Sequence, residues 1–127
     1  DKVSCQGCHS SGQYRQCYSC HAVHGSKAEP GFILGLNPRD RKTLTTLRVI
    51  PTIRSTFESE GIKMENFDAL PNYWNSPVHN IKKRTNRSRS CDACHVNKEG
   101  FLTPEGLIKE GSKENEKLIY DIKPISK

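Results

Sequence analysis

The sequence predicts a single domain of mostly irregular structure with short α-helices and a minor β element. Three observations lead to this fold class. Only 33% of the 127 residues are hydrophobic, which is thin for a core built from side chains alone. The motif Cys-x-x-Cys-His occurs three times and uses all six cysteines. Residues 43–57 are rich in the β-branched side chains that favour strands.

The three motifs are the attachment signature of c-type haem. Two thiols three positions apart can bond to the two vinyl groups of one porphyrin, and the next histidine is then held beneath the iron. We therefore expect three covalently bound haem c groups, with short helices around them because near-helical spacing points these side chains to one side. The expected attachment residues are Cys5, Cys8, Cys17, Cys20, Cys91 and Cys94, and the expected proximal ligands are His9, His21 and His95.

Zinc and disulfide chemistry fit the cysteines less well. A structural zinc site needs four ligands from paired knuckles, and three Cys-x-x-Cys pairs leave one pair over. A disulfide across only two intervening residues makes a strained, reducible loop. Haem attachment leaves no cysteine unexplained. Burial of the porphyrins can also supply the hydrophobic driving force that the side chains lack.

The chain divides into a two-haem segment (1–25), an insert (26–90), and a third-haem segment with a tail (91–127). In the insert we expect a Gly- and Pro-rich loop at 27–39. An edge strand or hairpin is expected over 43–57 around Pro51. A short helix over 64–70 should stop before Pro71, and another should start at 76–77. The tail alternates loosely over 118–122, which is typical of a strand.

His24 and His79 remain as distal ligands to haem iron. His24 follows His21 by only three residues. The two cannot bind one iron from opposite faces, so His24 should reach another haem, most simply the one attached in the first motif. His79 is free to cap a further haem.

Six axial positions would be needed for three haems with two histidine ligands each, and the chain contains five histidines. Met64 is the single methionine and a candidate sixth ligand, which would raise that haem's potential. Packing of Met64 with Ile62 and Phe67 is the alternative. A lysine, the Asp1 amine, a foreign ligand or an open iron also stay possible.

The chain has a net charge of +6, and its densest positive run is residues 82–89, directly before the third motif. These cations can pair with haem propionates or form a solvated face, or they can meet an acidic redox partner. Nucleic acid is the least favoured partner, because no aromatic residue interleaves the run for base stacking. We predict no nucleic-acid partner.

The sequence also bears on location. No run of about 20 apolar residues occurs, so no transmembrane segment is expected. Because c-type haem is attached outside the cytoplasm, we expect an exported protein that is periplasmic, or extracellular at the cell surface. Asp1 then reads as the N-terminus left after a signal peptide is removed.

The three motifs, the His21-x-x-His24 pair and the separate His79 resemble those of small multihaem c-type cytochromes. The resemblance implies a multihaem cytochrome c architecture and an electron carrier of anaerobic respiration, with redox proteins as partners. Some members of this family polymerise into extracellular filaments, which implies possible self-assembly into a homopolymer or haem-to-haem contact between subunits. The alternative function is a haem enzyme in which one open iron reduces a small molecule.

Overall fold

The sheet is small and mixed in the computed structural model, which describes residues 2–10, 32–76, 81–97 and 100–123. Its strands are β1 (Lys2–Val3), β2 (Ile33–Leu36), β3 (Thr43–Val49) and β4 (Tyr73–Asn75). Strand β3 is central, and β2 pairs with it antiparallel along one edge. Along its other edge, β1 pairs parallel with the first residues of β3, and β4 pairs antiparallel with its last residues.

A strand is confirmed at Thr43–Val49, but it is neither the predicted edge strand, because strands flank it on both sides, nor one arm of the predicted hairpin around Pro51. Residues 54–57 form a turn that leads into a 3₁₀ helix at Glu58–Glu60. Pro51 has no N–H with which to continue a ladder beyond β3. The partner strand β2 lies within the segment predicted as a loop.

Close packing explains why glycine stands in the middle of β2. A Cβ on Gly35 would lie 2.7 Å from Leu47 Cδ1 and 2.9 Å from the Leu118 carbonyl oxygen. The glycine that suggested a loop is therefore required by neighbours that are distant in sequence.

The helices of the described residues are short. The α-helices are α1 (Cys5–His9) and α2 (Asp92–His95), and the 3₁₀ helices are Glu58–Glu60, Phe67–Ala69, Pro104–Gly106 and Lys113–Leu118. The helix predicted over 64–70 is thus a single 3₁₀ turn, and Leu70 before Pro71 is extended. Of the helix expected to start at 76–77 and to run toward Lys83, residues 77–80 lie outside the described ranges, and residues 76 and 81–83 are not helical.

The tail does not form the predicted strand. It forms the 3₁₀ helix Lys113–Leu118, whose first turn is capped by Ser112 Oγ accepting from the Glu114 N–H at 3.2 Å. Leu118 and Ile122 are both buried. The alternation of apolar and polar residues in the tail therefore reflects burial of apolar side chains against the sheet, and residues 118–122 do not pair as a strand.

Two apolar clusters form the core of the described residues. One consists of Leu47, Tyr73, Leu102 and Leu118. The other consists of Leu34, Leu44, Phe101 and Ile122, with Cys94 and Tyr120 packed against it. The second cluster brings the third motif to the sheet.

A buried amide pair ties the tail to the sheet. Asn72 Oδ1 accepts from Ser112 N at 2.7 Å and from Asn115 Nδ2 at 3.1 Å. Asn72 Nδ2 donates to the carbonyls of Ile50 and Thr52. The Asn72 N–H donates to Asn115 Oδ1 at 2.7 Å. Because every polar atom of the Asn72 side chain is bonded, the amide has one orientation.

Candidate cofactor site

The first motif lies on α1, which begins with a side-chain cap. Ser4 Oγ accepts from the Gly7 N–H at 3.2 Å, and Ser10 N donates to the Gln6 carbonyl at 3.0 Å where the helix ends. Gly7 is buried, and a Cβ there would lie 3.0 Å from Val3 Cγ1. One short turn thus places Cys8 and His9 together on the wall of a cavity.

A strap formed by residues 81–89 holds the end of α1. Ile81 forms an antiparallel bridge with Ser10, and Lys82 N donates to the His9 carbonyl at 2.8 Å. Thr85 Oγ1 donates to the Cys8 carbonyl. The strap then continues directly into the third motif, so the chain connects the two sites over a short distance.

The His9 ring is oriented by this strap. Its Nδ1 donates to the Lys82 carbonyl at 3.0 Å, because a carbonyl oxygen can only accept. In the neutral imidazole this bond places the proton on Nδ1 and leaves Nε2 as the nitrogen with the lone pair. Histidines that ligate metals are oriented in this manner, with the second nitrogen bonded to a carbonyl or carboxylate.

The third motif repeats the arrangement on α2 with a different partner. His95 N donates to the Cys91 carbonyl at 3.1 Å, and His95 Nδ1 donates to the Lys123 carbonyl at 2.8 Å. Two motifs far apart in sequence therefore have the same helical turn and the same ring orientation, each fixed by a backbone carbonyl from another segment.

Both motifs face one cavity of about 740 Å³, within the range of roughly 300–1,000 Å³ typical of small-molecule and cofactor sites. Residues Cys8 and His9 of the first motif and residues Cys91, Cys94 and His95 of the third motif line it. Its apolar wall is the core cluster Leu34, Leu44, Phe101 and Ile122, and its cationic wall is Lys83, Arg84, Arg87 and Arg89.

This lining fits haem. A porphyrin has broad apolar faces and two anionic propionates, which match an apolar wall beside cations. Three of the four described thiols that would tether it, and both described histidines that would ligate its iron, are on the cavity wall. Cys5 is exposed and does not line the cavity, although it belongs to the same helical turn.

The thiols of the described motifs are unpaired. Neither motif has a disulfide among Cys5, Cys8, Cys91 and Cys94. Burial raises the pKa of the Cys94 thiol, the nearby Cys8 thiol raises it further, and the Arg87 guanidinium opposes both effects. In the described ranges, no three His, Cys, Asp or Glu side chains form a group that could hold a metal ion.

Several predicted residues are not placed at this cavity. Met64 is half-buried in the 3₁₀ region between β3 and β4 and is not among the lining residues. Its assignment as a sixth ligand stays a prediction. The second motif and both distal histidines lie outside the described residues, namely Cys17, Cys20, His21, His24 and His79.

Other residues of the site were missed by sequence analysis. The carbonyls of Lys82 and Lys123 carry no sequence signal, because every residue has a backbone carbonyl. Arg87 was part of a basic run, and nothing in that run distinguishes it from Arg84 or Arg89. Ser4 could have been found, since a serine directly before a helical motif is a typical N-cap.

Comparisons of this chain with protein-family models, with curated proteins and with solved structures find no match. Every helix in the described ranges is too short to cross a bilayer.

Proposed function

We propose that this chain is an exported electron-transfer protein that carries three covalent c-type haems and passes electrons between redox partner proteins. The observation that carries the proposal is the pair of motif histidines, His9 and His95. Each has its Nδ1 bonded to a backbone carbonyl and each lies on the wall of the same apolar cavity. Such a pair is what two neighbouring iron sites need.

The role of the residues follows from their positions. Bound haem supplies one-electron exchange between ferric and ferrous iron. The thiols of Cys5 and Cys8, and those of Cys91 and Cys94, tether the two cofactors. The Nδ1 hydrogen bonds keep each imidazole in one orientation and one tautomer, which favours ligation that does not change during turnover.

The other lining residues determine the polarity and the charge around the cofactors. Leu34, Leu44, Phe101 and Ile122 exclude water from the cofactor faces, and low polarity is one of the levers on redox potential. Lys83, Arg84 and Arg89 offer charge-assisted hydrogen bonds to propionates. A shared cavity also keeps two cofactors close to each other, which suits electron transfer between them.

The first test is haem content, measured on protein exported in a host with c-type haem maturation. Thioether bonds survive denaturation, so the intact mass of the unfolded chain should include three haems. The Cys91→Ala/Cys94→Ala pair should contain two, as should the Cys5→Ala/Cys8→Ala pair. Ser59→Ala, a change at an exposed position, should retain three. A parent chain that holds zinc and no covalent haem would refute the proposal.

The second test separates an electron carrier from a haem enzyme. An EPR spectrum of the fully oxidised protein distinguishes six-coordinate low-spin iron from five-coordinate or water-ligated high-spin iron. Low-spin signals from all three haems support the carrier. A stoichiometric high-spin signal would identify an open iron and favour the reductase.

A further inference from the structure

Arg87 is anchored at the end of the first motif. Its Nη2 donates to the Ser10 carbonyl at 2.6 Å and to Ser10 Oγ at 2.8 Å. Ser10 is the residue after His9 and is fully buried. The two bonds use only part of the guanidinium fork, which carries five N–H donors. The side chain is therefore held in one place on the cavity wall.

The guanidinium is half-buried and lies near thiols of both motifs. Burial lowers the pKa of Arg87, and the nearby thiols of Cys94 and Cys8 act in the opposite direction. An arginine stays protonated in proteins despite such a shift. Arg84 and Arg89, its neighbours on the strap, are exposed, so solvent and salt screen their charges more strongly.

A fixed cation at this position has a defined electrostatic effect. Reduction of a haem adds one electron, and a nearby positive charge stabilises the state with the additional electron. The interaction weakens with the effective dielectric constant, so a partly buried charge acts more strongly than an exposed one. A single charge near both motifs acts on both haems.

We propose that Arg87 is a shared electrostatic residue that raises the midpoint potentials of the two haems attached at Cys5/Cys8 and at Cys91/Cys94. The inference rests on the proposed haem-binding function and assigns one residue of the strap a role that its basic neighbours do not have. Arg87 acts through its positive charge, which Ser10 holds in place, and it does not ligate iron.

The test is a potentiometric titration of the haem-loaded protein, followed by visible absorbance and EPR, for the parent, Arg87→Gln, Arg87→Lys and Arg39→Gln. Arg39 is exposed, stacks on Trp74 and does not line the cavity, so R39Q makes the same change in net charge elsewhere. R87Q should lower at least two of the three midpoint potentials. R87K should stay closer to the parent, and R39Q should produce a clearly smaller shift.

Three results would overturn the inference. R87Q could shift no midpoint potential further than R39Q does, or it could shift only one of the three potentials. The potentials of R87K could also fall as far as those of R87Q. The last result would mean that the shape of the fork matters and its charge does not. A parent chain without covalent haem would instead refute the proposed function, and the mass measurement identifies that case separately.

A second variant keeps the test decisive if R87Q binds fewer than three haems. Ser10→Ala removes one of the two anchors and leaves the charge in the chain. The guanidinium is then less confined to the cavity wall, so the same two potentials should fall, by less than complete removal of the charge would cause. Potentials in S10A equal to those of the parent would overturn the inference, because the charge would then act without the anchor at Ser10.

Discussion

Asn115→Asp changes one group in the buried amide pair that ties the tail to the sheet. In the parent, Asn115 Nδ2 donates to Asn72 Oδ1 at 3.1 Å. The substitution places a carboxylate oxygen opposite that oxygen. Asn72 cannot turn its amide round to donate instead, because its Nδ2 already donates to the carbonyls of Ile50 and Thr52.

The expected magnitude follows from these contacts. Asn72 Oδ1 keeps the bond from Ser112 N, but the new carboxylate oxygen is a buried acceptor without a donor, which costs about 1–3 kcal/mol. The alternative is to keep the carboxyl protonated so that it can donate, which costs about 1.4 kcal/mol for each pH unit between its raised pKa and the solution pH. We expect a loss of about 3 kcal/mol at neutral pH, out of a typical total of ~5–15 kcal/mol.

The loss should depend on pH with a definite sign. Burial raises the pKa of a carboxyl in the folded state above its unfolded value of about 3.9. The loss therefore grows as the pH rises from about 3.9 and becomes constant above the folded-state pKa. Near pH 4 the protonated acid can still donate to Asn72, and the variant should be close to the parent.

The assay is urea unfolding of the haem-loaded protein, followed by far-UV circular dichroism at several pH values. Asn66→Asp is the matched control, because Asn66 is exposed and its change should stay within about 0.5 kcal/mol. Equal stability of Asn115→Asp and the parent at neutral pH would refute the reasoning. A loss that does not change with pH would refute the assigned hydrogen bond.

Two further predictions concern packing and charge. Gly35→Ala should lower the free energy of unfolding by about 1–3 kcal/mol through overpacking against Leu47, measured as a lower urea midpoint. Gly106→Ala is the control and should lower it less, because the new Cβ would lie 3.4 Å from its nearest neighbour. An unchanged midpoint for Gly35→Ala would contradict the packing. Hydrogen bonds from Lys117 and, with a smaller effect, from Arg41 lower the pKa of Glu114. The parent should therefore be more stable than Glu114→Gln at neutral pH. This difference should disappear as the pH falls through the lowered pKa, and a difference that persists in acid would contradict the assignment.

The sequence by itself determined the local features of this protein. In a Cys-x-x-Cys-His motif, the spacing of the thiols and the histidine is set by residues a few positions apart. The candidate ligands could therefore be predicted from the sequence, as could the helical turns at Cys5–His9 and Asp92–His95. The strand over 43–49 was also predictable from its β-branched residues. Such features depend on interactions within one or two turns of chain.

Only the tertiary structure decided which distant segments meet. It pairs β3 with Ile33–Leu36 and not with residues 52–57, because Pro51 ends the ladder and Gly35 permits close packing. It turns the two described motifs towards one cavity and selects the carbonyls of Lys82 and Lys123 for the two histidines. It also gives Arg87 a position that its neighbours lack. Contacts of this kind depend on how the whole chain closes on itself, and a backbone carbonyl leaves no mark in the sequence.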